Sequence, residues 1–180
     1  MEMPSPWYTR LDKRRLTLAE TVLFGILGGM TFLAKILMAG LPNIEPVSLL
    51  VMLFAVTFGR KALYAIYVYV LLEFVLYGVN LWSINYLYIW LILAAAARLL
   101  RGMTHPLGWA LLSGVFGLFF GLLCAPLYGF TGGWAFAVSW WISGIPYDLA
   151  HCAGNFLLAL ALFGPLRKLL NRLYQGIVRR

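Results

Sequence analysis

Charge is what this sequence has least of. Lys and Arg number 14, Asp and Glu 6 and His 2 in 180 residues, so only 11% of the chain is charged. Set against 63% hydrophobic residues and a mean hydropathy of +0.87, so few polar groups cannot cover the surface of one water-soluble domain. The bilayer is therefore expected to act as solvent. Cysteine is scarce too: Cys124 and Cys152 both fall in apolar stretches, where two small buried hydrophobes are a simpler reading than a disulfide or a metal pair. No GxxxxGK[ST] loop, HExxH or GxSxG pattern occurs, which removes those catalytic signatures, and no cofactor is expected. Linkers, low-complexity tracts and internal repeats are missing as well. The chain is short for the duplicated halves usual in secondary transporters.

What is present is a series of apolar runs. A membrane-crossing helix needs about 20 apolar residues, fewer where an end is tucked against protein. Six runs qualify, at about 16–38, 45–58, 62–77, 84–99, 106–123 and 146–163. As one straight helix, residues 134–163 would extend roughly 45 Å at about 1.5 Å per residue, against a hydrocarbon thickness of about 30 Å. A break is expected at Gly144-Ile145-Pro146, because proline lacks the mid-helix donor. Residues 134–143 would then form a short outer helix or lid.

The basic residues set the orientation. Arg10, Lys13, Arg14 and Arg15 precede the first run, Arg60 and Lys61 join the second to the third, and Arg98 and Arg101 join the fourth to the fifth. Arg167, Lys168, Arg172, Arg179 and Arg180 follow the sixth. By the positive-inside rule these four regions are cytoplasmic. The connections near 40–44, 78–83 and 128–133 carry no Lys or Arg and face outside. The expected architecture is an all-α membrane protein of six transmembrane helices with both termini cytoplasmic. Residues 1–15 form a basic arm without the short apolar core and cleavage site of a secretory signal, 16–166 the bundle and 167–180 a basic tail. A charge of +8 split among membrane-proximal loops is a topological signal and not a nucleic-acid surface.

Ionisable groups within spans are costly and tend to pair, face a cavity or serve function. Lys35, Glu45, Glu73 and Asp148 all belong to the outer half of the bundle on this topology. His151 and Asn155 follow Asp148 on one helix face. Asn43, Asn80 and Asn85 lie in or beside the outer connections. Aromatic residues crowd the same side: Trp82, Tyr86, Tyr88, Trp90, Tyr128, Trp134, Trp140, Trp141 and Tyr147. Together these residues outline a pocket on the extracellular side, with Lys35, Asn43, Glu45, Glu73, Asn80, Trp82, Asn85, Tyr86, Tyr128, Trp134, Trp141, Tyr147, Asp148, His151 and Asn155 as candidate contacts. Simpler roles stay open for each. Lys35 and Glu45 could snorkel to water, Glu73 or Asp148 could pair with Lys35, and His151 could be a satisfied interior histidine. An aromatic belt would account for any single Trp or Tyr. Three carboxylates against one lysine favour a cationic or donor-rich ring ligand. Gly25 and Gly29 form a GxxxG pattern, reinforced by Gly28, on which a partner helix could dock, and 94–97 is a second small-residue face.

Three segments carry a resemblance. The outer segment Leu41-Pro42-Asn43-Ile44-Glu45-Pro46-Val47-Ser48-Leu49, the turn Phe58-Gly59-Arg60-Lys61, and Trp141-Ile142-Ser143-Gly144-Ile145-Pro146-Tyr147-Asp148-Leu149-Ala150-His151 come after a small-xxx-small first helix. This pattern resembles the substrate-binding S components of energy-coupling factor (ECF) vitamin transporters, over nearly the whole chain. The resemblance implies a non-enzymatic subunit of the bacterial cytoplasmic membrane that captures a vitamin from outside. It implies docking through Gly25 and Gly29, glycines where the family has alanines, onto a membrane coupling subunit (T component) carrying two ATPase subunits. Segment 41–44 would gate the pocket. The Asn-Ile-Glu and Gly-Ile-Pro-Tyr-Asp patterns are most similar to the cobalamin-type subfamily; a smaller cationic ring vitamin fits the carboxylates as well. Two rivals stand beside it: a membrane enzyme using Asp148 and His151 as a general acid/base pair, and a scaffold whose polar residues only hold helices together.

Overall fold

The computed structural model describes residues 15–41 and 44–178. Arg10, Lys13, Arg14, Arg179, Arg180 and the candidate contact Asn43 lie outside the described residues, all of which are helix or short connection, with no strand among them.

Helix α1, Leu18–Leu37, opens on a capping box. Thr17 Oγ1 accepts from the Glu20 N–H at 3.2 Å and Glu20 Oε2 from the Thr17 N–H at 3.0 Å, so orphan donors of the first turn are satisfied reciprocally. Helix α2, Val47–Phe58, runs into a 3-10 turn at Gly59–Lys61 and then α3, Ala62–Tyr77. Helix α4, Leu81–Leu99, starts at a second capping box formed by Asn80 and Ser83. Helix α5, Pro106–Leu118, has proline at its first turn, where no donor is lost. Then come α6, Phe120–Gly132, and α7, Trp134–Val178. Five stretches are long and apolar enough to cross a membrane: Leu18–Leu37, Val47–Tyr77, Leu81–Leu99, Pro106–Gly132 and Trp134–Ile177.

Helix α2 is the hub. All of it but Leu50 is buried, as its all-round apolar sequence requires, and α1, α3, α4, α5 and α7 pack around it. Gly59, at φ 63° and ψ −129°, turns the chain sharply after α2. Two ion pairs then fix the direction of α3. Lys61 Nζ lies 2.7 Å from Glu20 at the start of α1, whereas Glu73 reaches Lys35 near the other end of α1, also at 2.7 Å. Helices α1 and α3 therefore run side by side in the same direction. The Tyr174 hydroxyl donates to Glu20 Oε1 at 2.7 Å and brings the far end of α7 to the same corner.

On the opposite side α5 and α6 lie along α7, and a glycine stripe sets the approach. A Cβ on Gly117 would sit 2.8 Å from the His151 carbonyl carbon, and one on Gly121 2.5 Å from Asp148 Oδ2. Only glycine permits backbones this close.

Several expectations from the sequence are corrected here. The helix does not break at Gly144-Ile145-Pro146: α7 is continuous for 45 residues, with Pro146 and Pro165 inside it. Ile145, Pro146 and Tyr147 are exposed, so no packing holds the helix at the proline itself; in apolar surroundings an interrupted helix would strand further backbone groups, which outweighs the one lost bond. Residues 134–143 are thus the first turns of α7 and not a separate lid. The connection expected at 128–133 is helical to Gly132, and the turn is confined to Gly133 at φ 87°. The break comes instead at Phe119, between α5 and α6. Gly28 does not extend the outward face of Gly25 and Gly29. A Cβ there would meet Ala65 O at 2.7 Å, so Gly28 seats α1 on α3. In the stretch 94–97, Ala94 and Ala97 are buried in the core, whereas Ala95 is exposed and Ala96 half-buried.

Candidate functional site

At the end of the molecule where α1 and α3 finish and α4 begins lies a half-open cavity of about 270 Å3. Its wall includes Lys35, Ile44, Glu45, Tyr77, Trp82, Tyr86, Phe120 and His151, with Met38, Ala39 and Leu41 of the α1–α2 link on one side. Lys35 comes from the last turn of α1, where the helix dipole favours a cation. Its Nζ donates to Glu73 Oε2 at 2.7 Å and to the Tyr86 hydroxyl at 3.1 Å, and stands 4.8 Å above the Tyr86 ring. Of the two carboxylates open to it, Lys35 takes Glu73. Trp82 Nε1 donates to the same Tyr86 oxygen at 2.9 Å, so a lysine, a tryptophan and a tyrosine form one locked wall.

Two groups at the cavity remain available for a solute. Glu45, half-buried just before Pro46, adds a carboxyl beyond the one that Lys35 neutralises. Removal from water pushes this carboxyl up to about 6, with Lys35 pulling it down and Glu73 pushing it further up. His151 is buried with its ring edge-on to Phe120, at 4.9 Å between centroids, and among the described residues its Nε2 has no hydrogen-bond partner. A buried imidazole nitrogen left bare beside a cavity is costly, and a bound solute would satisfy it.

Asp148, one turn before His151, does different work. The break at Phe119 makes Gly121 the second residue of α6, where its N–H has no intrahelical acceptor. Asp148 Oδ1 accepts that N–H at 3.0 Å. Asp148 thus caps α6 and is not among the residues lining the cavity. Asn155 is further down, donating to Ser48 Oγ at 3.0 Å and Ser113 O at 3.3 Å, and it ties α7 to α2 and α5.

The remaining candidates are distributed as structure. Asn80 caps α4. Asn85 is fully buried, donating to Leu81 O at 2.8 Å. The Tyr88 hydroxyl, 2.5 Å from Asn85 Oδ1 and 2.8 Å from Leu123 O, shares one proton between the two acceptors. Tyr128 stacks on Trp140 with 4.0 Å between ring centroids. Trp134 and Tyr147 are exposed, and Trp141 packs part-buried against the core, away from the cavity. The aromatic excess at this end therefore builds a floor. Tyr69, Tyr86, Trp90, Phe116 and Phe120 form a chain of ring contacts between about 5.3 and 6.1 Å under the cavity. Phe120 and Tyr77 are wall residues that sequence reasoning missed, being apolar or isolated in pattern. Gly25 and Gly29 face outward, with nothing within 4 Å of where a Cβ would sit.

A comparison of the chain with known family models, curated proteins and solved structures finds no match.

Proposed function

We propose that this chain is the substrate-binding membrane subunit of an ECF-type transporter, taking a small ring-bearing vitamin from outside and passing it on through a coupling subunit and two ATPases. The observation that carries the reading is the half-open cavity lined by Lys35, Glu45, Tyr86 and His151 in a molecule otherwise poor in polar side chains. On this reading α1, α2, α3, α4, the α5–α6 pair and α7 make six crossings. The cavity opens outward, and the basic residues other than Lys35 mark the cytoplasmic face.

The cavity volume bears on the choice of ligand. About 270 Å3 lies just under the range usual for small-molecule pockets, roughly 300 to 1,000 Å3, and suits one compact ring system. Glu45 supplies the surplus negative charge for a cationic ring. A corrin would need the α1–α2 link, which forms one wall, to swing away. The volume thus favours the smaller ligand class over cobalamin.

The outward face of Gly25 and Gly29 on α1, flanked by exposed Val22, Ile26, Met30 and Leu33, is the proposed docking face for the coupling subunit. An acid/base enzyme is less well supported, since Asp148 caps α6 and is not among the residues that line the cavity with His151.

The test begins with the purified full chain. Small molecules that co-purify are identified by mass spectrometry, and equilibrium binding of the compound found is then measured. Stoichiometric capture of an unmodified ring compound supports the proposal; its conversion to product, or the lack of any captured solute, rejects it. His151→Ala is expected to weaken capture by about three- to tenfold, the worth of one hydrogen bond.

A further inference from the structure

We propose that Gly154 and Asn155 of α7 are positioning residues for the Glu45 carboxyl, anchoring the chain on either side of it so that it stands at a fixed place relative to His151. The inference rests on the reading of the cavity as a solute site and names what sets the geometry of that site. Glu45 lies just before α2, in a link whose described backbone closes three short turns, with the N–H groups of Ala39, Leu41 and Ile44 on the carbonyls of Ile36, Met38 and Leu41. A carboxyl that is to meet a solute at hydrogen-bond distance needs a firmer mount than turns of this kind.

The first anchor is a notch. Gly154 is buried, and a Cβ there would stand 3.1 Å from both Cγ1 and Cγ2 of Ile44 and 3.4 Å from its Cα. The link therefore rests on α7 at the residue just before Glu45, closer than a side chain at 154 would allow without pushing Ile44 back. The second anchor comes just after Glu45. Asn155 donates to Ser48 Oγ in the first turn of α2 at 3.0 Å and to Ser113 O on α5 at 3.3 Å, and Asn155, Ser48 and Ser113 are at most 1% exposed. Between the anchors lie Glu45, Pro46 and Val47 alone. Proline fixes its own φ and confines the residue before it to extended backbone, so Glu45 has little freedom left.

Both anchors belong to the turn of α7 that follows His151, and Gly154, three positions on, shares its face. The two groups left open at the cavity, Glu45 and His151, are thus mounted on one frame. Such a frame holds a carboxyl and an imidazole at one spacing before any solute arrives, and it avoids the ordering cost that a loose link would add to binding. It also keeps the carboxyl partly out of water. That removal is the main reason Glu45 is pushed up to about 6, with Lys35 of α1 pulling it down and Glu73 of α3 pushing it up; Tyr77, Tyr86 and His151 are the other titratable groups at the cavity. A link lifted off α7 returns the carboxyl to water, so the position of the link is readable on Glu45 itself.

NMR of the full chain in detergent tests this, with the glutamate carboxyl carbons labelled, the Glu45 signal assigned by its loss in Glu45→Gln, and its midpoint followed as pH is varied. Gly154→Val should lower the midpoint by about one pH unit or more, toward the value of about 4.3 for a solvated glutamate. Ile44→Ala added to Gly154→Val exchanges the large and small residues of the notch and should recover at least half of that shift. Gly154→Ala should move the midpoint the same way by less, and because alanine favours helix over glycine it should not lower the thermal unfolding temperature; it keeps the test decisive if valine prevents folding. A midpoint unmoved in the folded Gly154 variants would overturn the anchor. So would an equal shift from Gly164→Val, at a position of α7 with nothing within 4 Å of a Cβ. The titration needs no solute, so a chain that captures none would sink the transporter reading while this measurement still decides the role of Gly154.

Discussion

Glu45 and the Glu20–Lys61 pair respond to opposite manipulations. The Glu45 carboxyl, pushed up to about 6 by removal from water, is ionised above that pH and neutral below it. Capture of a monovalent cationic ring should therefore weaken as pH falls through 6, by up to about tenfold per pH unit, and Glu45→Gln should flatten the profile. A flat wild-type profile between about pH 5 and about pH 7.5 would take Glu45 out of ligand contact. The free protein shows the reverse sign. A raised carboxyl value means that ionisation costs the fold about 2 kcal/mol, felt above pH 6 and absent below 4.5. The buried Glu20–Lys61 pair contributes through mutual neutralisation. Lys61→Met alone strands a buried carboxylate and should cost about 3–5 kcal/mol in detergent unfolding, while Glu20→Gln added to it should recover most of the loss. Equal destabilisation in the single and double variants would show that the pair is not coupled.

Among the elements, α5, α6 and α7 depend on close backbone approach at Gly114, Gly117 and Gly121. Gly117→Leu should force α5 from His151 and lower stability by about 1–3 kcal/mol, and because His151 lines the cavity it should reduce solute capture too. Unchanged thermal unfolding in that variant would mean that the two helices can separate freely. The helices themselves are legible in the sequence, since long apolar runs and basic breaks mark them without tertiary information. Lys35 with Glu73 is legible as one of two alternatives. Other features stay hidden because they exist only between elements. The glycine spacing on α5 and α6 is as regular as that at Gly25 and Gly29, yet only contact with α7 gives it meaning. Lys61 reads as one more basic loop residue, and nothing local names Glu20, 41 positions away, as its partner. Asp148 resembles a ligand group in sequence because the break at Phe119, which creates the N–H it caps, has no proline to announce it, and the flanking Gly117 and Gly121 read as a small-residue face. The expected break at Gly144-Ile145-Pro146 fails for the converse reason, a local signal overridden by the need of backbone groups for partners in apolar surroundings.

At the scale of the whole molecule, the proposed orientation predicts that the end carrying Arg172 faces the cytoplasm. With Cys124 and Cys152 replaced by Ala, Arg172→Cys should react with a membrane-impermeant thiol reagent only in inside-out vesicles or after permeabilisation. Labelling in intact cells would invert the topology and place the Lys35 cavity on the wrong side for uptake. The 45 residues of α7 extend about 67 Å, roughly twice the hydrocarbon thickness. One unbroken rod thus carries His151 at the cavity and, toward its other end, Tyr174 on the Glu20 carboxylate. Such a rod behaves as a lever: a swing of about 10° around its midpoint carries each tip about 6 Å, so a solute that pulls on one end is mechanically felt by whatever holds the other.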